Sequence, residues 1–165
     1  MITNEAERQV IGALLDSPEM IVKVQGILSD DDFLTAPAKI IFQAVKKLGM
    51  EADIFTVSDK TGVDVGKLSE ISFDCVSPTN APAYAKELKK ESNKVKLIQL
   101  ANDIHTAIKQ GSELKDIVGD ASARLSDLNR SHGRKTQFIL GSAVKNLLDD
   151  VDERANGKGM VYDSG

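Results

Sequence analysis

Little in this 165-residue chain points to a secreted or membrane protein. It holds a single cysteine, Cys75, and no tryptophan. One thiol excludes an internal disulfide and fits a reducing cytoplasm. The opening Met1-Ile2-Thr3-Asn4-Glu5 carries no basic-then-apolar targeting signal, and no apolar run approaches membrane-spanning length. A formal net charge of −4 gives no electrostatic drive toward nucleic acid or an anionic membrane. Aromatics make up 4% of the residues while 41% are hydrophobic, so the core has to be aliphatic. These bounds leave a soluble, cytoplasmic chain with room for one ordinary domain plus an extension.

Catalytic chemistry is equally scarce. A phosphate-cradling loop needs Gly, four residues, then Gly-Lys-Ser/Thr, because backbone amides wrap the phosphates while the hydroxyl holds magnesium. Gly62-Val63-Asp64-Val65-Gly66-Lys67-Leu68 is one residue short and ends in leucine, so it reads as a turn and a helix start. Gly157-Lys158-Gly159 has Asp152 where the first glycine belongs, and reads as linker. His105 and His132 lie on separate segments with no Cys or carboxylate at ligand spacing. Cys75 has no paired cysteine and no histidine nearby in sequence. No catalytic residue, metal ligand or cofactor site is therefore expected in this chain. Arg130, Arg134 and Lys135 lack the interleaved aromatics that stack bases. Lys86, Lys89, Lys90, Lys94 and Lys96 are interspersed with Glu87 and Glu91 and read as a solvated helix face.

What the sequence does have is helical periodicity. Leu97, Leu100, Ala101, Ile104, Ala107 and Ile108 recur at three- and four-residue steps, one stripe at roughly 100° per residue. Leu114, Ile117, Val118, Ala121, Leu125 and Leu128 do the same. Gly111 between them suits the left-handed backbone that ends a helix, and Ser112 can cap the next one. An antiparallel helical hairpin follows. Val95 and Ile98 lie off the first stripe, leaving apolar surface for assembly. Upstream, Asn4 and Glu7 make a capping-box pair for a first helix that buries Ala6, Val10, Ile11, Leu14 and Leu15. Ser17-Pro18 opens a second helix with Met20, Ile21, Val24, Ile27 and Leu28 inward. After the acidic turn Asp30-Asp31-Asp32, Phe33 anchors the core. A third helix spans about Pro37 to Leu48, with Ile40, Ile41, Ala44, Val45 and Leu48 inward and Gly49 as its stop. Short helices over Thr56–Lys60 and Asp64–Ile71 meet at Gly62. Turn residues Ser77-Pro78-Thr79-Asn80 then lead into a helix carrying Pro82, Ala85 and Leu88. The fold class is all-α.

Residues 129–137 are polar and basic and form a flexible tether. Beyond them Leu140, Val144, Leu147, Leu148 and Val151 make one apolar stripe on a last helix. Asp149, Asp150, Asp152 and Glu153 face the other way and read as a solvated face. A helix that short is marginal by itself, so it is expected to dock elsewhere.

Asn4-Glu5-Ala6-Glu7 followed by Val10-Ile11-Gly12-Ala13-Leu14-Leu15 resembles the opening signature of the DnaB-type replicative DNA helicases of bacteria and their phages. Asp32-Phe33 with Ile41-Phe42-Gln43-Ala44-Val45 is similar to that family's second block. Thr79-Asn80-Ala81, Tyr84-Ala85 and Glu91-Ser92 leading to Leu97-Ile98 resemble its third. The likeness spans the whole chain but only the part of the family that precedes its motor. Leu34 and Ala38 stand where members often carry Tyr and His, and Val95-Lys96 replaces the arginine usual before Leu-Ile. These departures suggest a divergent, phage-encoded member.

The resemblance implies a compact multi-helix head (residues 1–90) and a helical hairpin (91–128) in the same N-terminal domain. The tether (129–137), a separate linker helix (138–156) and the approach to a motor domain (157–165) follow. It implies that hairpins pair between neighbours, that paired heads build a collar on a hexamer, and that the linker helix packs on a neighbour's motor. Primase and helicase loader are the implied partners, and single-stranded DNA is met only through the full-length ring. ATP and magnesium belong to the motor, beyond Gly165. A contrasting reading is a stand-alone helicase-head mimic that regulates or inhibits a ring.

Overall fold

A computed structural model of the protein describes Ile2 and residues 4–130. Seven α-helices follow one another with no strand among the described residues. They are α1 (Glu5–Asp16), α2 (Ile21–Val24), α3 (Ala36–Leu48), α4 (Ile54–Thr61), α5 (Val65–Phe73), α6 (Ala81–Lys109) and α7 (Leu114–Arg130). Two compact units divide the chain after Ile98.

In the first unit α1 is the central element, packed on α5 and α3, with α4 against α3 and α5. Its sequence explains why: Val10, Ile11, Ala13 and Leu14 are all fully buried, so α1 faces neighbours on more than one side. Gly12 permits the closest approach. A Cβ there would lie 2.5 Å from the Ile71 carbonyl oxygen and 2.9 Å from Cys75 Cβ, so only glycine lets α1 and α5 meet at that distance. Phe33 anchors the core as expected, its ring 4.6 Å from that of Phe42.

Helix ends follow the local chemistry. The Asn4 side chain accepts from the Glu7 amide at 3.0 Å and caps α1. Gly62, at φ +70°, ends α4 in the left-handed region. Asp64 then caps α5 by accepting from the Lys67 amide. The near-phosphate-loop stretch is thus a helix-to-helix junction. It does not fit a nucleotide, because Leu68 is fully buried where a phosphate loop presents a hydroxyl to magnesium.

Three expectations change. The second helix is a 3-10 turn (Pro18–Met20) running into the single turn of α2; β-branched Ile21, Val22 and Val24 followed by Gly26 favour nothing longer. Ile40, expected inward, is exposed, because the buried face of α3 is centred on Ala38, Ile41, Phe42 and Val45. Glu7 does not complete a capping box on its own helix. Its fully buried carboxylate accepts from the amides of Leu34 and Thr35 and from the Thr35 hydroxyl at 2.7 Å, so it satisfies the start of α3 instead.

Candidate functional site

The triple aspartate Asp30-Asp31-Asp32 separates into two roles. Asp30 pairs with Lys46 and Asp31 with Lys39, each at 2.7 Å on the flank of α3. Asp32 turns inward and is fully buried. A capping box with Ser29 fixes it: Asp32 Oδ2 accepts from the Ser29 amide at 2.8 Å and from its hydroxyl at 3.0 Å. Three side chains of α6 then converge on the same carboxylate. Lys89 Nζ lies 2.6 Å from Oδ2, Lys96 Nζ 2.6 Å from Oδ1, and the Ser92 hydroxyl donates to Oδ1 at 3.2 Å.

The charge state follows from that geometry. Burial acts to raise the Asp32 carboxyl, but the hydrogen bonds from Lys89, Lys96 and the Ser29 amide together outweigh it and hold the group at about 2. Asp32 is therefore an anion at neutral pH with two cations around it. The lysine-rich surface read from the sequence is corrected accordingly. Lys86, Lys90 and Lys94 are exposed, whereas Lys89 and Lys96 point into the head and are committed to Asp32. A further tie joins Asn4 Nδ2 to Glu91 Oε2 at 2.7 Å.

α6 runs unbroken from Ala81 to Lys109. Its first turns are held by Ala81, Ala85 and Leu88, all fully buried. Of the residues marked for assembly in this first unit, Val95 is half-buried, while Leu97 and Ile98 are exposed, Ile98 by 62%.

The second unit contains the end of α6 and α7. Gly111 has φ +76°. Its amide donates to the Ile108 carbonyl, and the Ser112 amide donates to that of Ala107, both at 3.1 Å. That pair of bonds is the Schellman ending of a helix, and it places the turn where the sequence puts it. Arg124 bridges the two helices by an ion pair to Asp103 at 2.7 Å. Leu100 is buried, and Ile104, Ile117, Ala121, Leu125 and Leu128 are half-buried. Ile108 and Leu114 are exposed by 59% and 55%, large enough fractions to leave apolar surface open beside the turn. A cleft of about 250 Å³ there is lined by Asp103, Asp116 and Asp120 among others. No group of residues suited to holding a metal occurs among the described residues. α7 includes Asn129 and Arg130, the first two residues of the expected tether. The linker-helix residues Leu140, Val144, Leu147, Leu148 and Val151 lie outside the described residues.

Sequence reasoning missed Asp32, Lys89, Ser92 and Lys96 as one constellation. Two signals were available: the Ser29-to-Asp32 spacing of a capping box, and three polar side chains on α6 at i, i+3 and i+7, a single helix face. No helix of the described residues is long and apolar enough to cross a membrane.

Comparison with known proteins falls on the same segment. Residues 2–90 match the family described as DnaB-like helicase N terminal domain. The chain is 28% identical over 134 residues to the replicative DNA helicase DnaB of Pasteurella multocida, covering 73% of this chain and 29% of that protein. It is 23% identical over 169 residues to the replicative DNA helicase DnaC of Bacillus subtilis, covering 95% of this chain and 37% of that protein. It thus spans roughly a third of the length of these curated relatives. Among solved structures, it is similar to the N-terminal domain of DnaB helicase from Mycobacterium tuberculosis with a TM-score of 0.66. That match has 23% identity and covers 73% of this chain and 94% of the other. A DnaB-like replicative helicase, described with its interactions with primase, gives a TM-score of 0.59 at 19% identity over 86% of this chain and 35% of its own. At these identities the likeness speaks for the fold.

Proposed function

The chain belongs to the DnaB-like helicase N-terminal domain family, and from that premise we propose that it is the non-catalytic assembly segment of a cytoplasmic replicative DNA helicase. On this reading the head (residues 1–90) and hairpin (91–128) pair with their counterparts in a second subunit, and paired copies build the collar of a hexamer. Residues 129–137 act as a tether, 138–156 as a linker helix docked through Leu140, Val144, Leu147, Leu148 and Val151, and 157–165 as the approach to a motor. ATP, magnesium and single-stranded DNA are the motor's and the full ring's business, while primase and helicase loader meet the collar and linker. The family match sets the context.

The observation that carries the reading is the exposed apolar side chains in each unit: Leu97 and Ile98 at the end of the first, Ile108 and Leu114 beside the turn of the second. Solvent-facing leucine and isoleucine are ordinary one at a time; a pair of them in each unit favours a partner. Val95, Leu100, Ile104, Ile117, Ala121, Leu125 and Leu128 complete the proposed packing and pairing set.

The test is mass by light scattering or sedimentation over a concentration series. Self-association of the chain is expected, with Ile98→Asp shifting it to monomer. Ile98 is exposed by 62%, so the substitution leaves the fold intact. Undiminished association in folded Ile98→Asp, or a chain that stays monomeric throughout, overturns the reading.

A further inference from the structure

We propose that Asp32 is a positioning residue, clamping one face of α6 to the head so that Leu97 and Ile98 are turned outward for a second copy of the chain. The consequence for a second copy rests on the assembly reading above; the clamp itself does not.

The geometry is specific to one carboxylate. Lys89, Ser92 and Lys96 all bond to Asp32. At roughly 100° per residue these three positions fall within about 60° of one another on the helix. Ile98 is then about 160° around from Lys96, on the opposite side, which agrees with its exposure. Fixing the inner three residues therefore fixes the direction of Ile98.

The preceding turns cannot do this. Ala81, Ala85 and Leu88 attach α6 through apolar contact, which is non-directional and tolerates rotation. After Leu88 the mode of attachment changes to charge-assisted hydrogen bonds, and three of them meet on one carboxylate, so a rotation that shortens one contact lengthens another. The carboxylate that receives them is itself immobile, because the capping box holds it from behind and the adjacent Phe33 ring is packed on Phe42. Asn4 to Glu91 adds a single contact, which leaves rotation about its own axis open.

The experiment uses the full chain, with Asp32→Asn and, separately, the double variant Lys89→Met/Lys96→Met. Amide hydrogen exchange is followed for residues 89–98 and, in the same samples, for α1 and α3. Self-association is measured alongside. Exchange over 89–98 is expected to rise about tenfold or more in both variants, the loss of charge-assisted hydrogen bonds, with α1 and α3 unchanged. Self-association is expected to weaken by about the same factor, tenfold. Unchanged exchange over 89–98 overturns the clamp. A uniform rise through α1 and α3 overturns it too, since Asp32 would then serve general stability only. Raised local exchange with undiminished association overturns the orienting role. If the parent chain does not associate at all, the assembly reading fails by itself, and the exchange measurement still decides whether Asp32 clamps α6.

Discussion

Replacing Glu7 by alanine removes the acceptor on which the start of α3 depends. Its carboxylate receives two backbone amides and one hydroxyl from residues 34 and 35, and the residue is fully buried. Truncation strands three donors. With each stranded donor costing roughly 1 kcal/mol where water can partly reach it, the loss is about 3 kcal/mol. Glu7→Gln keeps one oxygen in place for the amides, and the Thr35 hydroxyl can rotate to accept from the new amide group. It forfeits mainly the charge at a helix start, about 1 kcal/mol. Urea unfolding at neutral pH, followed by circular dichroism, separates the two. The midpoint should fall in the order parent, Gln, Ala, with the slope unchanged. Combining Glu7→Ala with Thr35→Val should cost less than the sum of the single losses, because both remove the same hydrogen bond. Equal losses for Gln and Ala, or a loss below about 0.5 kcal/mol for Ala, refute the capping role.

Acid should act through Asp32. Its carboxyl moves from an ordinary 3.8 down to about 2 when α6 is docked, so the docked state of α6 gains about 2 kcal/mol above pH 4, lost as pH falls from about 4 to 2. Asp32→Asn should flatten the pH dependence of exchange protection over residues 89–98 in that range; an unaltered dependence counts against it. Gly12→Ala should cost about 1–3 kcal/mol, since a methyl group meets the Ile71 carbonyl oxygen at 2.5 Å and α1 must back away from α5. Thermal unfolding checks this, and a neutral substitution would show that the seam gives easily. Gly62→Ala adds no steric contact, with nothing within 4 Å, yet should cost about 1 kcal/mol for its left-handed φ; a loss nearer zero would mean the turn relaxes.

Most of the all-α fold was legible because helices announce themselves locally. The stripe around Ile11 and Leu14, the Pro82 start of α6 and the stops at Gly49, Gly62 and Gly111 each depend on residues within a few positions of one another. The Gly111 turn is the clearest case, since its two bonds to Ala107 and Ile108 are set by the local chain alone. Side chains that reach across the fold were not legible. Glu7 looked like the third residue of its own capping box, and nothing nearby reveals that Leu34 and Thr35 come to it. Asp32 looked like one of three residues of an acidic turn; its distinction from Asp30 and Asp31 is made by Lys89 and Lys96, 57 and 64 positions away. The departure at Val95-Lys96 is also clearer with the structure in hand. A cation is still supplied just before Leu97-Ile98, and it is one of the two held by Asp32.

The seam at Gly12 gives the chain a reporter of its own motions. Cys75 lies in the turn after α5, its Sγ 3.8 Å from the Gln9 carbonyl oxygen, and burial pushes the thiol up, so the reactive thiolate is scarce at neutral pH. The thiol is half-buried, so a reagent reaches it faster once α1 and the turn part company. With no second cysteine in the sequence to confuse the signal, a change in the labelling rate of the chain reports on that parting without any substitution.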